Sequence, residues 1–274
     1  MKTRDYIYFG LLVGFSCIFA IVFFLRLLPA DCGDINPPFC IEYATYLDIC
    51  FISLTLSITL VFFAVALSYG PATEHSRVWF GLGLAYALFF ASELLWSYGI
   101  GPRYNLSSYS VAEFAFILAH IPLFYGLAKQ IQLSGRTSVN IRNELAFITS
   151  MVSFIMICYL ISVQFIAGQN IFEMSPLFFG VPLLDILAMI LLGRVSSYMR
   201  GGRLAVPWFT MFSGSAILAL VDGWIQYTLL FSHLTEYMFT DLLQVAALTV
   251  TALAGILCIS LFREQDSMSL GLSK

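Results

Sequence analysis

The sequence predicts an all-α integral membrane protein with eight transmembrane helices. Three observations predict it. Of 274 residues, 60% are hydrophobic and only 11% are charged, whereas a globular domain is about 25% charged. Eight apolar stretches of membrane-crossing length follow one another, separated by short polar gaps. Lysine and arginine, finally, fall almost entirely on one set of alternate loops. With so few charged side chains and a mean hydropathy of +0.89, the surface of a water-soluble fold could not be covered. The same composition excludes a disordered chain, a coiled coil, a porin-type barrel and a sizeable aqueous catalytic domain. A net charge of −3 points to no nucleic-acid partner.

The first span, 7–28, follows Lys2 and Arg4. Its apolar run exceeds the roughly 7–15 residues of a signal-peptide core and ends without a small-residue cleavage site, so it reads as a retained helix. Gly10 and Gly14 have the spacing that lets helices pack closely. The loop Ala30 to Pro38 leads into span two, 44–69, which carries Asp48. Gly70 to Arg77 precede span three, 78–99, with Glu93 and Trp96; Gly101 to Ser110 precede span four, 110–131, with Glu113 and His120. Span five, 145–167, comes after the polar stretch Ser134 to Glu144. Gly168 to Pro176 introduce span six, 176–197, with Asp185; Arg200 to Pro207 introduce span seven, 206–231, with Asp222 and Gln226. Span eight, 239–262, carries Asp241, and 263–274 reads as a cytoplasmic tail. The runs are too long, and too free of period-two alternation, for barrel strands.

Orientation follows from the cations. With the N-terminus cytoplasmic, eleven of the 13 Lys and Arg face inside, and only Arg26 and Arg103 face outside. The expected location is a cell membrane, multi-pass, with both termini cytoplasmic. Four cysteines (Cys17, Cys50, Cys158, Cys258) fall in spans and read as small buried residues. Cys32 and Cys40 flank a Pro-rich segment of the first outer loop, where a disulfide is expected. Asn105-Leu106-Ser107 is a weak glycosylation sequon on the same side.

The halves of the chain resemble each other, so the single membrane domain, 1–274, reads as a parallel four-plus-four repeat with halves of about 1–132 and 144–262. Trp79-Phe80 is matched 129 residues later by Trp208-Phe209, and at the same offset Glu93 meets Asp222 and Tyr98 meets Tyr227. Beyond the next loop the offset is 128, where Glu113 meets Asp241 but His120 meets Leu248. Asp185 is a looser counterpart of Asp48.

An ionised side chain at the centre of a membrane helix costs about 2.5–3.5 kcal/mol on insertion scales. Asp48, Glu93, Glu113, Asp185, Asp222 and Asp241 nonetheless all fall in the half of their spans that faces outside. Glu113 and His120 lie seven apart on one helical face; Asp241 and Gln244 share the equivalent face of the second half. Glu93 neighbours Trp96, and Asp222 neighbours Gln226, on their own helices. These faces are expected to meet inside the bundle as a polar, aromatic-walled cavity opening outward. The plainer reading gives Glu113, after Ser110, and Asp241, after Thr240, a role at helix N-termini, where negative charge is favoured. Glu93, Asp222 and Asp185 lie too deep for that role.

Other chemistry finds little support. Three histidines without paired spacing argue against a zinc site, no nucleophile, phosphate-loop or dinucleotide motif occurs, and the last span has no lysine for a retinal Schiff base. No cofactor and no enzyme activity are expected.

Four short stretches, Ser92-Glu93-Leu94-Leu95-Trp96, Ser110-Val111-Ala112-Glu113-Phe114, Pro182-Leu183-Leu184-Asp185 and Val221-Asp222-Gly223-Trp224, resemble motifs of the multi-span N-terminal membrane sensor modules of bacterial and archaeal histidine kinases and diguanylate cyclases. The resemblance covers roughly 78–262 and implies a sensor. No output domain follows Arg263, so signalling through a membrane or cytoplasmic partner subunit is expected. The function expected is therefore a sensor or accessory subunit in the lipid bilayer, with a site for a small cationic ligand or protons formed by Glu93, Asp222, Asp185, Glu113, Asp241, His120, Trp96 and Gln226. The alternatives are a cation- or proton-coupled transporter, a structural subunit of a larger membrane complex, and a membrane-embedded hydrolase.

Overall fold

In a computed structural model the backbone is described for residues 38–97, 111–134, 176–230 and 237–271, and side chains for 48–97, 111–134, 180–224 and 240–262. Six α-helices make up the described chain: α1 (Pro38–Tyr69), α2 (Glu74–Ser97), α3 (Val111–Ser134), α4 (Pro176–Tyr198), α5 (Ala205–Leu230) and α6 (Tyr237–Gly271). Each contains 19 to 24 residues long and apolar enough to cross a membrane. They correspond to spans two, three, four, six, seven and eight. Spans one and five lie outside the described residues, as do Cys32, the side chain of Cys40 and the sequon.

Helix limits depart from the hydropathy reading at several points, among them α2, which starts at Glu74, four residues before the predicted span. α1 starts at Pro38, six residues before the predicted span, and proline is favoured at a first helical position because its missing N–H has no partner there to lose. α6 starts at Tyr237 and runs on through Arg263 to Gly271, so much of the expected tail continues the helix. Hydropathy marks where a helix enters lipid, and hydrogen bonding can propagate beyond that point.

The chain falls into two compact units, Met1–Cys50 and Phe51–Lys274. The first contributes only the start of α1 to the described residues, including half-buried Asp48. In the second, α2 packs on α3, α3 on α4, α4 on α5 and α5 on α6. The Phe51–Tyr69 part of α1 closes the ring. Phe62 meets the rings of Trp79 and Tyr86 on α2 edge-on, at 5.3 and 5.4 Å, and Tyr69 meets Phe262 on α6 at 4.2 Å. At the centre Trp79 of α2 and Trp208 of α5 lie 5.2 Å apart, both fully buried.

Between helices of lipid-like apolarity, association depends on close contact and on polar groups that find partners. A side chain on Gly81 would meet the Pro122 carbonyl at 3.1 Å, and one on Gly126 the Val78 carbonyl at 3.0 Å, so this glycine pair lets α2 and α3 touch backbone to backbone. Two hydroxyls bridge helices: buried Ser92 donates to the Ala112 carbonyl at 2.8 Å, and half-buried Ser196 to that of Trp208 at 2.9 Å.

Tight turns close one end of the bundle. Gly70, at φ +83°, follows α1, and Thr73 caps α2 by accepting a hydrogen bond from the Ser76 N–H at 3.1 Å. Gly201, at φ +82°, serves the turn between α4 and α5. Every described Lys or Arg side chain (Arg77, Lys129, Arg194, Arg200, Arg203) belongs to this turn end, where Glu74 pairs with Arg77 and Lys129, each at 2.8 Å.

Candidate functional site

Most hydroxyls in the bundle need no partner beyond their own helix. Thr55, Thr59, Thr210, Ser213 and Thr249 all donate to a carbonyl one turn earlier. Carboxylates and a carboxamide have no such outlet, and in the bundle they converge between helices around an imidazole.

His120 is the hub. It stands nine residues into α3, is 1% exposed, and is walled by the rings of Phe89, Phe116 and Phe124 at 5.3, 5.3 and 5.7 Å. Its Nδ1 lies 3.1 Å from the Phe116 carbonyl and its Nε2 lies 3.2 Å from Oδ1 of Asp185 on α4. Asp185 is 6% exposed. From the other side its carboxyl interacts with that of Asp222 on α5, and Gln244 on α6 donates to Asp222 Oδ1 at 3.0 Å. Glu93 on α2 adds its charge to the field at Asp222. The hydroxyl of Tyr86 on α2 also lies in the field of Asp185 and pairs with Thr251 on α6, whose own hydroxyl donates to the Ala247 carbonyl at 2.9 Å. Five helices thus contribute to one polar network. Its members His120, Asp185, Asp222 and Gln244 stand seven to nine residues inside their helix ends, a depth of ~10–14 Å at the rise of an α-helix.

Hydrogen-bond arithmetic fixes what this network contains. A neutral imidazole has one donor and one acceptor. Here both ring nitrogens face acceptors, a carbonyl and a carboxyl oxygen. A neutral imidazole can donate to only one of them, so the contact with Asp185 has room for one further proton. Asp185 Oδ2 is also buried and meets no N–H or O–H donor. The neighbouring Asp222 carboxyl bonds to Asp185 only when one of the two acids carries a proton, since ionised carboxylates only accept. Two carboxyls in one enclosed site do not both ionise without a compensating cation. Among the described side chains no Lys or Arg lies at this end of the bundle.

Of the residues predicted for the site, Asp185, Asp222 and His120 are brought together, with Glu93 beside them. Trp96 packs on Phe116, ring centroids 6.1 Å apart, and so walls the His120 pocket indirectly. Glu113 is half-buried in the first turn of α3, the position the N-terminal reading gives it. Asp241 is half-buried, but α6 begins at Tyr237, two residues earlier than the hydropathy suggests, so Thr240 lies inside the helix and does not cap it. The Gln226 side chain lies outside the described residues. Asp222 takes its amide from Gln244, across the helix pair. Gln244, Tyr86 and Thr251 were not among the predicted site residues. Gln244 carried a signal, its shared face with Asp241, whereas Tyr86 and Thr251 are unmarked in a chain so rich in aromatic and hydroxyl side chains. A cavity of 1020 Å³ bounded by described residues lies at the turn end and includes none of these groups. Among the described residues no group of three metal-ligating side chains assembles.

No family model, no curated protein and no solved structure matches this chain.

Proposed function

We propose that the chain is a membrane sensor or accessory subunit that responds to protons, or to a small monocation taking the proton's place, at the His120–Asp185–Asp222–Gln244 site. The observation that carries this reading is the pair of acceptors facing the two nitrogens of His120, which leaves room for one more proton in the contact. Asp222 and Glu93 extend the site toward the helix ends, and the excess of Lys and Arg on the turn end directs the acidic end outward by the positive-inside rule. An eight-span, two-half architecture agrees with the meeting of counterpart residues: Trp79 touches Trp208, and Glu93 acts on Asp222. Signal leaves through a partner subunit, because the site and the charged turns lie at opposite ends of rigid helices. Transport is disfavoured because most hydroxyls of the described helices are satisfied by carbonyls of their own helix.

The test follows thermal unfolding of the detergent-solubilised chain across a pH series and across a series of methylammonium concentrations. The wild type is expected to respond to at least one, and the Asp185→Asn, Asp222→Asn double variant, with helix content unchanged, to neither. A wild type indifferent to both, or a double variant that responds as the wild type does, overturns the proposal. Proton-coupled ion flux into proteoliposomes would move the assignment to a carrier.

A further inference from the structure

At the turn end, away from the polar network, the 1020 Å³ cavity is cut between α1, α2 and α3. Gly81 lies on its floor, where α2 and α3 touch, and Ala66 and Pro122 line it without projecting far. Its rims are Leu67, Phe80, Leu84, Ile121 and Tyr125, which are 72, 56, 41, 65 and 53% exposed. These residues form no part of the aromatic core. At the mouth stands Arg77, and apart from Ser76 and the Tyr125 hydroxyl the lining is apolar. Arg77 and Lys129 share the single carboxylate of Glu74, so the mouth keeps one positive charge in excess. Arg77 and Leu84 are seven residues apart on α2, so the apolar channel runs ~10 Å from the cationic mouth along the helix.

We infer that this groove binds an anionic phospholipid, with one acyl chain along Leu67, Phe80, Leu84 and Ile121 and the phosphate on Arg77. The volume is at the upper end of small-molecule sites, which run to about 1,000 Å³. Charge complementarity selects the occupant. Another protein helix laid in the groove would leave the excess positive charge at the mouth unanswered, since Arg77 and Lys129 share only Glu74, whereas a lipid brings the acyl chain and the phosphate in one molecule, and basic pockets between membrane helices are where anionic headgroups are held. Arg77 suits the task because a planar guanidinium meets two phosphate oxygens at once.

Native mass spectrometry of the full chain in detergent, with equal amounts of phosphatidylglycerol and phosphatidylcholine, tests the inference. Retention of phosphatidylglycerol is expected to be favoured about five-fold, as one basic residue near a membrane surface provides. Arg77→Gln should erase the preference and Arg77→Lys should keep part of it. Glycerol phosphate at the same concentration should not displace the lipid, since it lacks the acyl chain. Equal retention of the two lipids overturns the inference, as does a preference that survives Arg77→Gln or displacement by glycerol phosphate. So does a cross-link from Leu84→Cys to a second copy or to another segment of the same chain.

Discussion

Nε2 of His120 and Oδ1 of Asp185 stand 3.2 Å apart, joining α3 to α4 across 65 residues of sequence, and neither side chain is more than 7% exposed. A contact so enclosed stabilises little by its own attraction. Its importance is that either group alone would be stranded, because a buried polar group without a partner costs about 1–3 kcal/mol and more when charged.

A double-mutant cycle on this pair is the first prediction. His120→Phe fits a pocket already walled by three phenylalanines, yet it removes the hydrogen-bond partner of Asp185 and should destabilise the chain by about 1–3 kcal/mol. Asp185→Leu should cost a similar amount. The double variant should cost less than the two losses together, by at least ~1 kcal/mol, because neither partner is left stranded. Strict additivity in urea or thermal unfolding would show that the two residues do not act on each other.

Asp222 depends in the same way on Gln244, which donates to it at 3.0 Å. Gln244→Leu keeps the volume and loses the donor, so it should destabilise by about 1–3 kcal/mol. That penalty should shrink in an Asp222→Leu background, where no acceptor is left to strand. Thermal unfolding of the four chains measures it; an equal penalty in both backgrounds contradicts the contact.

How far the site was legible in the sequence follows from what makes a residue stand out. Asp185, Asp222 and His120 were visible because an ionisable group in an apolar run is costly and has to be compensated somewhere. Their partners were not. One-dimensional spacing joins Asp222 to Gln226, four residues on, and cannot weigh that neighbour against Gln244 on another helix. The matched offset of Trp79 and Trp208 marks them as counterparts, but only packing shows that their rings touch. Tyr86 and Thr251 enter through tertiary contact alone. Helix existence was legible for all six described helices; the starts at Pro38 and Tyr237 were not, because hydrogen bonding sets them independently of hydropathy.

The cap of α2 offers a surface prediction. At an exposed turn the Thr73 hydroxyl oxygen accepts from the Ser76 N–H at 3.1 Å, and the hydroxyl donates back to the Gly70 carbonyl at 3.0 Å. Thr73→Ala should cost ~1 kcal/mol and Thr73→Ser close to nothing. Hydrogen exchange at the first amides of α2 should rise in the alanine variant alone; unchanged exchange would mean that the cap is idle.

Two glycines of α5 separate packing from propensity within one helix. A side chain on Gly214 would run into the Thr251 hydroxyl and would approach the Ala247 carbonyl at 2.8 Å, whereas one on Gly223 meets nothing within 4 Å. Backbone atoms of α6 cannot yield as a flexible side chain can, so Gly214→Ala must push α5 and α6 apart. Forced separation of this kind costs about 1–3 kcal/mol. It also disturbs Thr251, the partner of Tyr86, and so reaches the polar network from a position that does not touch an acid. Gly223→Ala, with no clash to offset it, should gain up to ~1 kcal/mol from helix propensity. Unfolding temperatures that move in opposite directions for the two variants are the expected result. A neutral Gly214→Ala would mean that α5 and α6 are not as closely packed as the Gly214–Thr251 contact requires.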